Sequence, residues 1–372
     1  LTGFYFATFG LAKPDSMHES IARIEVLPIS IKLKKPFVIS LGKVEYADNV
    51  VVKIHTRLGL TGYGECCPFL TISGESQETA MVVGQYLKKV LLDQDPLDIE
   101  ACIGLMDRAI YGNRSIKSAF DIALHDIASQ AAGLPLYRFL GGTEIRPLVT
   151  DYTVSFGTAE SMVEEALSIQ AKGFPAIKVK VGGSREEDLK RIQAIRKAAG
   201  PDIPLRLDAN QGWSVETAIG VLSELGGMNI EFCEEPIARW NYMNLAQVRK
   251  NSPIPVMADE CCSDHHDLER LIDLGACDRV NIKLGKSGGL FNAMKMIRLA
   301  EKAGMMVQIG GFVESRLGFT ASAHLALSSD CIKWCDFDTP MMLEEDPVIG
   351  GIRYHPGGVV IVPEGNGLAA GL

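Results

Sequence analysis

Two lysines in Ile177-Lys178-Val179-Lys180-Val181 stand at alternate positions of a β-branched run, so a strand would point both to one face. An isolated pair of this kind usually sends both ammonium groups to solvent along their alkyl stems. Here three acids and a third lysine follow at a steady beat. Leu205-Arg206-Leu207-Asp208, Phe232-Cys233-Glu234 and Met257-Ala258-Asp259 each end an apolar run in a carboxylate, and Asn281-Ile282-Lys283 ends another in a base. The successive intervals Asp208–Glu234, Glu234–Asp259 and Asp259–Lys283 are 26, 25 and 24 residues, so the four side chains converge at equivalent ends of successive units. Three carboxylates in a low-dielectric pocket repel one another unless a cation holds them, and hard oxygen donors with open positions suit Mg²⁺. Lys180 and Lys283 would then face each other across a bound substrate. Positive charge from Lys178 and the metal would make Lys180 a usable base. This is equipment for proton transfer.

The elements that must place these residues are visible in the apolar rhythm. Short runs centred near Tyr152, Val179, Leu207, Phe232, Val256, Ile282, Val307 and Trp334 recur every 24 to 28 residues, room for one helix and two turns each. Eight such runs predict an α/β fold of the modified TIM-barrel type, with right-handed crossovers and its chemistry at the C-terminal strand ends. Residues 161–171 and 185–199 carry apolar positions at helical spacing. No eighth helix is evident after Trp334, so the expected architecture is (β/α)7β over residues 148–338. Residues 18–147 read as an α+β capping domain, with strands over 21–33 and 49–56 and helices over 78–92, 97–106 and 115–132. Residues 339–372 read as short strands and Gly/Pro turns returning to that cap, and residues 1–17, ending at Met17, as a leader outside the fold.

Composition narrows the class. The 372 residues are 47% apolar and 22% charged, with a net charge of −9 and no basic block, which disfavours nucleic acid and anionic membrane as partners. No run approaches the roughly 18 apolar residues of a membrane span, and the opening residues lack the pattern of a signal peptide. The expectation is a cytoplasmic enzyme with a small-molecule substrate, its homo-oligomeric state left open. Nine cysteines, two adjacent pairs among them, fit reduced structural thiols better than a disulfide framework. Cys331 and Cys335 lack the second pair that a zinc site needs, and His265-His266 reads as a solvated pair. Gly285-Lys286-Ser287-Gly288-Gly289 fits a nucleophile elbow, with Asp336 or Asp338 and then His355 in hydrolase order, but the barrel rhythm contradicts that fold.

The motifs KVK, LDANQGW, EEP, ADE and NIKL, with LHDIASQAAGLPLYRFLGG ahead of them, resemble the enolase superfamily and its muconate-lactonizing subgroup over residues 21–365. The resemblance implies Asp208, Glu234 and Asp259 as Mg²⁺ ligands and Lys180 and Lys283 as the acid/base pair, Lys180 on the D face and Lys283 on the L face; a lysine base working beside Mg²⁺ is a general pattern of that superfamily. Asn210 and Lys178 would orient ligands or substrate and tune Lys180. Glu235 and Glu260 adjoin ligands without obviously being ligands, since strand neighbours face opposite ways. Beyond the last strand, Asp336-Phe337-Asp338 resembles the DxD of dipeptide epimerases, which binds a dipeptide's N-terminal ammonium. Loops 37–44 and 69–74 would cap the barrel mouth, with Phe37, Gly42, Lys43, Phe69 and Ile72 setting the choice of second residue. Epimerases of Ala-Glu dipeptides carry an arginine where this chain has Gly42, so a hydrophobic or non-acidic second residue is expected, in an L-Ala-Xaa dipeptide. The same core also supports N-acylamino acid racemases, o-succinylbenzoate synthases and muconate cycloisomerases, and a non-catalytic Mg²⁺ barrel is a further alternative.

Overall fold

The computed structural model describes residues 19–372, and the leader expected over 1–17 lies outside them. The chain opens with strands β1 (Ile21–Ile39), β2 (Gly42–Thr56) and β3 (Thr61–Cys66), then helices α1 (Gln77–Leu91), α2 (Ile99–Ala109), α3 (Arg114–Ala131) and α4 (Leu136–Phe139). The three strands form one antiparallel sheet whose apolar face, including Ile24, Val52 and Ile54, packs on Phe120, Ala123 and Ile127 of α3. β3 escapes the sequence reading because Gly62 and Gly64 weaken its strand signature. Those glycines let α3 lie directly on the sheet: a Cβ at Gly64 would collide with the Ala119 carbonyl, and one at Gly62 with that of Ala123.

Residues 37–44 are not the irregular loop expected but the tip of the β1–β2 hairpin, with Phe37 opposite Val44 and Ile39 opposite Gly42. A register shift between Lys32 and Phe37 accommodates Pro36, which cannot donate to the ladder, and pairing resumes beyond it.

The rest is a barrel. After β4 (Leu148–Val149) come β5 (Tyr152–Val154), α5 (Ala159–Ala171), β6 (Ile177–Lys180), α6 (Arg185–Ala199), β7 (Leu205–Asp208), α7 (Val215–Glu224), β8 (Ile230–Glu234) and α8 (Tyr242–Lys250). There follow β9 (Val256–Ala258), α9 (His265–Asp273), β10 (Arg279–Lys283), the single-turn α10 (Leu284–Ser287), α11 (Leu290–Ala303), β11 (Met306–Gly310), α12 (Arg316–Ala326) and β12 (Ile332–Cys335). β5 to β12 pair in chain order and in parallel, and each expected strand centre falls inside one of them. Thr158, Ser184, Ser214, Asp264 and Ser315 cap the helices that follow β5, β6, β7, β9 and β11. Each cap contributes about 1 kcal/mol and fixes where its turn ends.

β12 and β5 do not share a ladder. The seam is a single bridge from Thr150 to Cys335, a bond from Phe337 N to Thr150 Oγ1 of 2.8 Å, and one from Thr153 N to Asp338 Oδ2 of 2.7 Å. The C-terminal segment adds β13 (Ile349–Gly350), β14 (Arg353–His355), β15 (Val359–Ile361) and β16 (Ala370–Gly371). It reaches the cap through Leu343 beside Leu33, Leu368 N on Asp126 and the Leu372 carbonyl on Lys53, whereas β15 pairs with β4. All nine cysteines are free, and burial pushes the thiols of Cys102, Cys277 and Cys335 up to about 12. No helix among the described residues is long and apolar enough to cross a membrane.

Gly64→Ala should lower the unfolding free energy by about 1–3 kcal/mol, as overpacking does, seen as a lower urea midpoint at unchanged slope. His324 of α12 is buried, accepts a bond from Tyr137 N at Nδ1 (3.2 Å), and is pushed by that burial from an ordinary 6.5 down to about 4. The unfolded imidazole takes its proton near 6.5 and the folded one only near 4. Its stabilisation is therefore complete above pH 6.5 and lost as pH falls through that window, by about 3 kcal/mol over its width. Denaturant midpoints at pH 7 and pH 4 should differ less in His324→Asn than in the parent.

Candidate active site

The site is built where strands end. Lys180, Asp208, Glu234 and Lys283 are the last residues of β6, β7, β8 and β10, and Asp259 is the first residue after β9. All five are buried. Their charges alternate: Lys178 Nζ lies 3.0 Å from Asp208 and 2.9 Å from Glu234, and Lys283 Nζ lies 3.9 Å from Glu234 and 2.8 Å from Asp259. Lys180 Nζ donates to Asp208 Oδ2 at 2.6 Å and to Asn210 Oδ1 at 3.0 Å. The two lysines expected to oppose one another thus sit at either end of a row of three carboxylates. Asn210 turns back to reach Lys180 because it and Gln211 adopt left-handed backbone, φ +39° and +71°.

Burial alone would favour neutral lysines, but the adjacent carboxylates outweigh it and hold Lys178 and Lys283 above the ordinary lysine range. Burial likewise opposes ionisation of Asp208 and Asp259, yet Lys178 and Lys180 beside the first and Lys283 and Lys286 beside the second keep both below the usual carboxylate range. Lys178, expected together with a metal to act on Lys180 through its positive charge, is itself surrounded by Asp208, Glu234 and Asp336. Glu234 lies between two acids, and burial with the Asp208 charge pushes it up to about 7.

The acids fit a divalent cation in kind. They present hard oxygen donors from three consecutive strands, and Asp259 Oδ2 and Glu260 Oε2 are buried acceptors with no hydrogen-bond donor. The 2.8 Å contact of Lys283 with Asp259 Oδ2 is an ion pair, not an aligned hydrogen bond. Among the described residues the acids are not already gathered into a cage, because ammonium groups stand on the oxygens a metal would take.

Several supports went unseen in the sequence. Asn281 donates to Glu234 Oε1 at 2.7 Å and Gln308 to its Oε2 at 3.4 Å. Lys286 bonds Asp259 Oδ1 at 2.6 Å and the Asn281 carbonyl at 2.9 Å. Arg206 bridges Asp151 (2.8 Å) and Glu231 (2.6 Å) beneath the mouth. Arg206 and Asn281 lie two residues before Asp208 and Lys283, so the period-2 signal of an inward strand face was available. The reading of Glu235 and Glu260 as outward neighbours is corrected. Glu235 has φ +37°, which breaks strand alternation, and its carboxylate accepts from Asp259 N at 2.7 Å and Cys261 N at 3.2 Å. Glu260 turns inward and accepts from Asn210 Nδ2 at 3.2 Å.

Beyond β12, Asp336 accepts from Lys178 at 2.7 Å, and Asp338 caps the start of β5 through Thr153 N. Burial and the Asp336 charge push Asp338 up to about 7, so this pair would gain from a cationic partner. From the cap, Phe37 places its ring 5.6 Å from Lys180 Nζ, and Ser40 donates to the Asn210 carbonyl at 2.9 Å. Phe69 packs at 5.6 Å on Phe312, unnoticed in the sequence, whose ring lies 5.2 Å from Lys283 Nζ. Ile72 is buried in the cap–barrel packing. Gly42, at φ +143°, holds a backbone conformation that an arginine would adopt only with strain. Lys43 is half-exposed and paired with Glu45 at 2.7 Å; both line a cleft of about 520 Å³ with Phe69 and Val313, which Lys178, Lys180 and Lys283 do not line. Ser287 is buried and donates to the Lys283 carbonyl at 3.1 Å, while His355 is exposed on β14, so no triad forms. His265 and His266 open α9, their rings 4.0 Å apart.

Known proteins resemble this chain in both sequence and fold. Residues 22–141 match the mandelate racemase / muconate lactonizing enzyme N-terminal domain, and residues 161–372 match the enolase C-terminal domain-like family. The chain is 56% identical to the D-Ala-D/L-Ala epimerase of Cytophaga hutchinsonii, over 94% of this chain and 95% of the relative. It is 39% identical to the L-Ala-D/L-Glu epimerase of Clostridium acetobutylicum, over 90% and 94%. The crystal structure of a dipeptide epimerase from Cytophaga hutchinsonii complexed with Mg and the dipeptide D-Ala-L-Val superposes with a TM-score of 0.93 at 55% identity, covering 95% of this chain and 96% of that one. The chain belongs to the mandelate racemase / muconate lactonizing enzyme family of the enolase superfamily.

Proposed function

We propose that this protein is a Mg²⁺-dependent dipeptide epimerase, an isomerase that inverts the α-carbon of the second residue of a dipeptide with an apolar side chain there. The observation that carries the reading is the row of three buried carboxylates with Lys180 at one end and Lys283 at the other. Of the relatives named above, the D-Ala-D/L-Ala epimerase and the D-Ala-L-Val complex carry an apolar second residue and the L-Ala-D/L-Glu epimerase an acidic one, and the chain is more similar to the first than to the last.

In this reading Asp208, Glu234 and Asp259 would hold Mg²⁺, which would supply positive charge to stabilise a negatively charged substrate carboxylate. Lys180 and Lys283 work on opposite faces of the α-carbon. One removes the proton, and the other returns one from the far side. Asp336 and Asp338 receive the N-terminal ammonium, and Asp336 also keeps Lys178 in place. Phe37, Phe69 and Phe312 give the mouth aromatic walls, and Gly42 removes the cation that would read a glutamate.

With Mg²⁺ in D₂O, D-Ala-L-Ala, L-Ala-L-Ala or L-Ala-L-Val should take up deuterium at the second α-carbon, measured by mass shift. L-Ala-L-Glu should do so poorly and N-succinyl-L-valine not at all. Uptake only into the N-succinylamino acid would sink the dipeptide reading. Lys180→Ala and Lys283→Ala should each reduce epimerisation by about 10²–10⁴-fold while leaving exchange from the one epimer whose proton faces the remaining lysine. A chelator should abolish turnover and added Mg²⁺ restore it, with Ser287→Ala retaining activity.

A further inference from the structure

Behind the Lys180 side of the mouth lies a carboxylate that touches none of the reacting groups. Asp188, on α6, is fully buried. Its Oδ2 accepts from Gly182 N at 3.0 Å, Gly183 N at 2.8 Å and the Trp213 indole Nε1 at 2.9 Å, while Oδ1 pairs with Arg191 at 2.9 Å. Arg191 in turn donates to the Gly157 carbonyl at 2.9 Å. Gly182 and Gly183 form the turn that leaves β6 two residues after Lys180, and Trp213 ends the turn that leaves β7 after Asp208 and Asn210. These turns touch without clearance: a Cβ on Gly212 would collide with the backbone of Gly182, and one on Gly182 would meet the Ala209 carbonyl and lie 3.2 Å from Ser40 Cβ of the cap.

We infer that Asp188 is the positioning residue of the Lys180 arm. Resting on the epimerase reading above, its role is to hold the β6 and β7 turns in register, so that Lys180 keeps its bonds to Asp208 and Asn210 and stays aimed at one face of the α-carbon. Only a carboxylate can take three donors on one oxygen while pairing with an arginine on the other. Lys283 has separate anchors, Ser287 Oγ on its carbonyl and Lys286 on Asp259, neither of which touches Asp188. Loosening Asp188 therefore disables one face and spares the other. A displacement near 1 Å costs about 10²-fold in rate.

The test is Asp188→Asn, with Trp213→Phe as a milder variant that keeps the carboxylate and deletes one donor, each with Mg²⁺ in D₂O. Initial loss of the α-proton is followed from D-Ala-L-Ala and D-Ala-D-Ala taken singly. Lys180→Ala identifies the epimer whose proton faces Lys180. Exchange of that epimer should fall about 10–100-fold in Asp188→Asn and by less in Trp213→Phe, with the other epimer within about threefold of the parent. Equal slowing of both epimers, as a smaller folded fraction would give, or slowing of neither, overturns the inference while leaving the epimerase reading intact. A parent enzyme that exchanged no dipeptide would remove both.

Discussion

The buried row of opposite charges at the strand ends is the constraint the molecule is built around. Three carboxylates cannot lie together at the end of a packed barrel unless positive charge is interleaved with them, and the lysines of β6 and β10 supply it. The arrangement needs strand ends fixed to a fraction of a hydrogen-bond length. Parallel pairing supplies that on one side and capped helices on the other. Around the mouth the turns are then tied in sequence. Asp188 joins those after β6 and β7, Glu235 joins those after β8 and β9, and Lys286 joins α10 to Asp259.

The capping domain completes the site without supplying charge. Phe37 and the pair formed by Phe69 and Phe312 lie over Lys180 and Lys283, giving each ammonium an apolar neighbour. Glu65 of β3 accepts from Ser315 N, Ser315 Oγ and Gly318 N at 2.9, 2.7 and 2.8 Å, so the cap grips the start of α12 just past the Phe312 turn. Cap and barrel are joined by buried polar bonds close to the chemistry, which couples the walls of the mouth to its floor.

Much of this was legible in the residues. The interval near 25 residues located all eight barrel strands, because a βα unit of fixed length must repeat to close the sheet, and acids or lysines at the run ends marked the C-terminal edge. What escaped was structure that no periodicity announces. β3 carries two glycines because α3 lies on it, so its strand character is visible only beside its partner. The Phe37–Val44 segment reads as a loop through its flanking proline and its glycine, and only register shows it to be a hairpin tip. Glu235 and Glu260 lie just past the ends of β8 and β9, where alternation no longer applies, so Glu235 reaches the Asp259 and Cys261 amides and Glu260 meets Asn210. Lys286 carries no motif of its own, and its contact with Asp259 exists only once α10 folds over β9.

The seam between β12 and β5 ties recognition to architecture. Where an ordinary ladder would join first strand to last, Asp338 reaches across to the Thr153 amide, so a carboxylate that we propose holds a dipeptide's amine also serves as a rivet in the cylinder wall. Diversification at this residue would therefore exact a mechanical penalty, since every replacement that alters taste also slackens the staves. At the tip of the β1–β2 hairpin, by contrast, a Cβ on Gly42 would meet only open space. Lineages seeking new diets have a freer hand there, and drift in preference should accumulate at the rim of the lid before it touches the rivet.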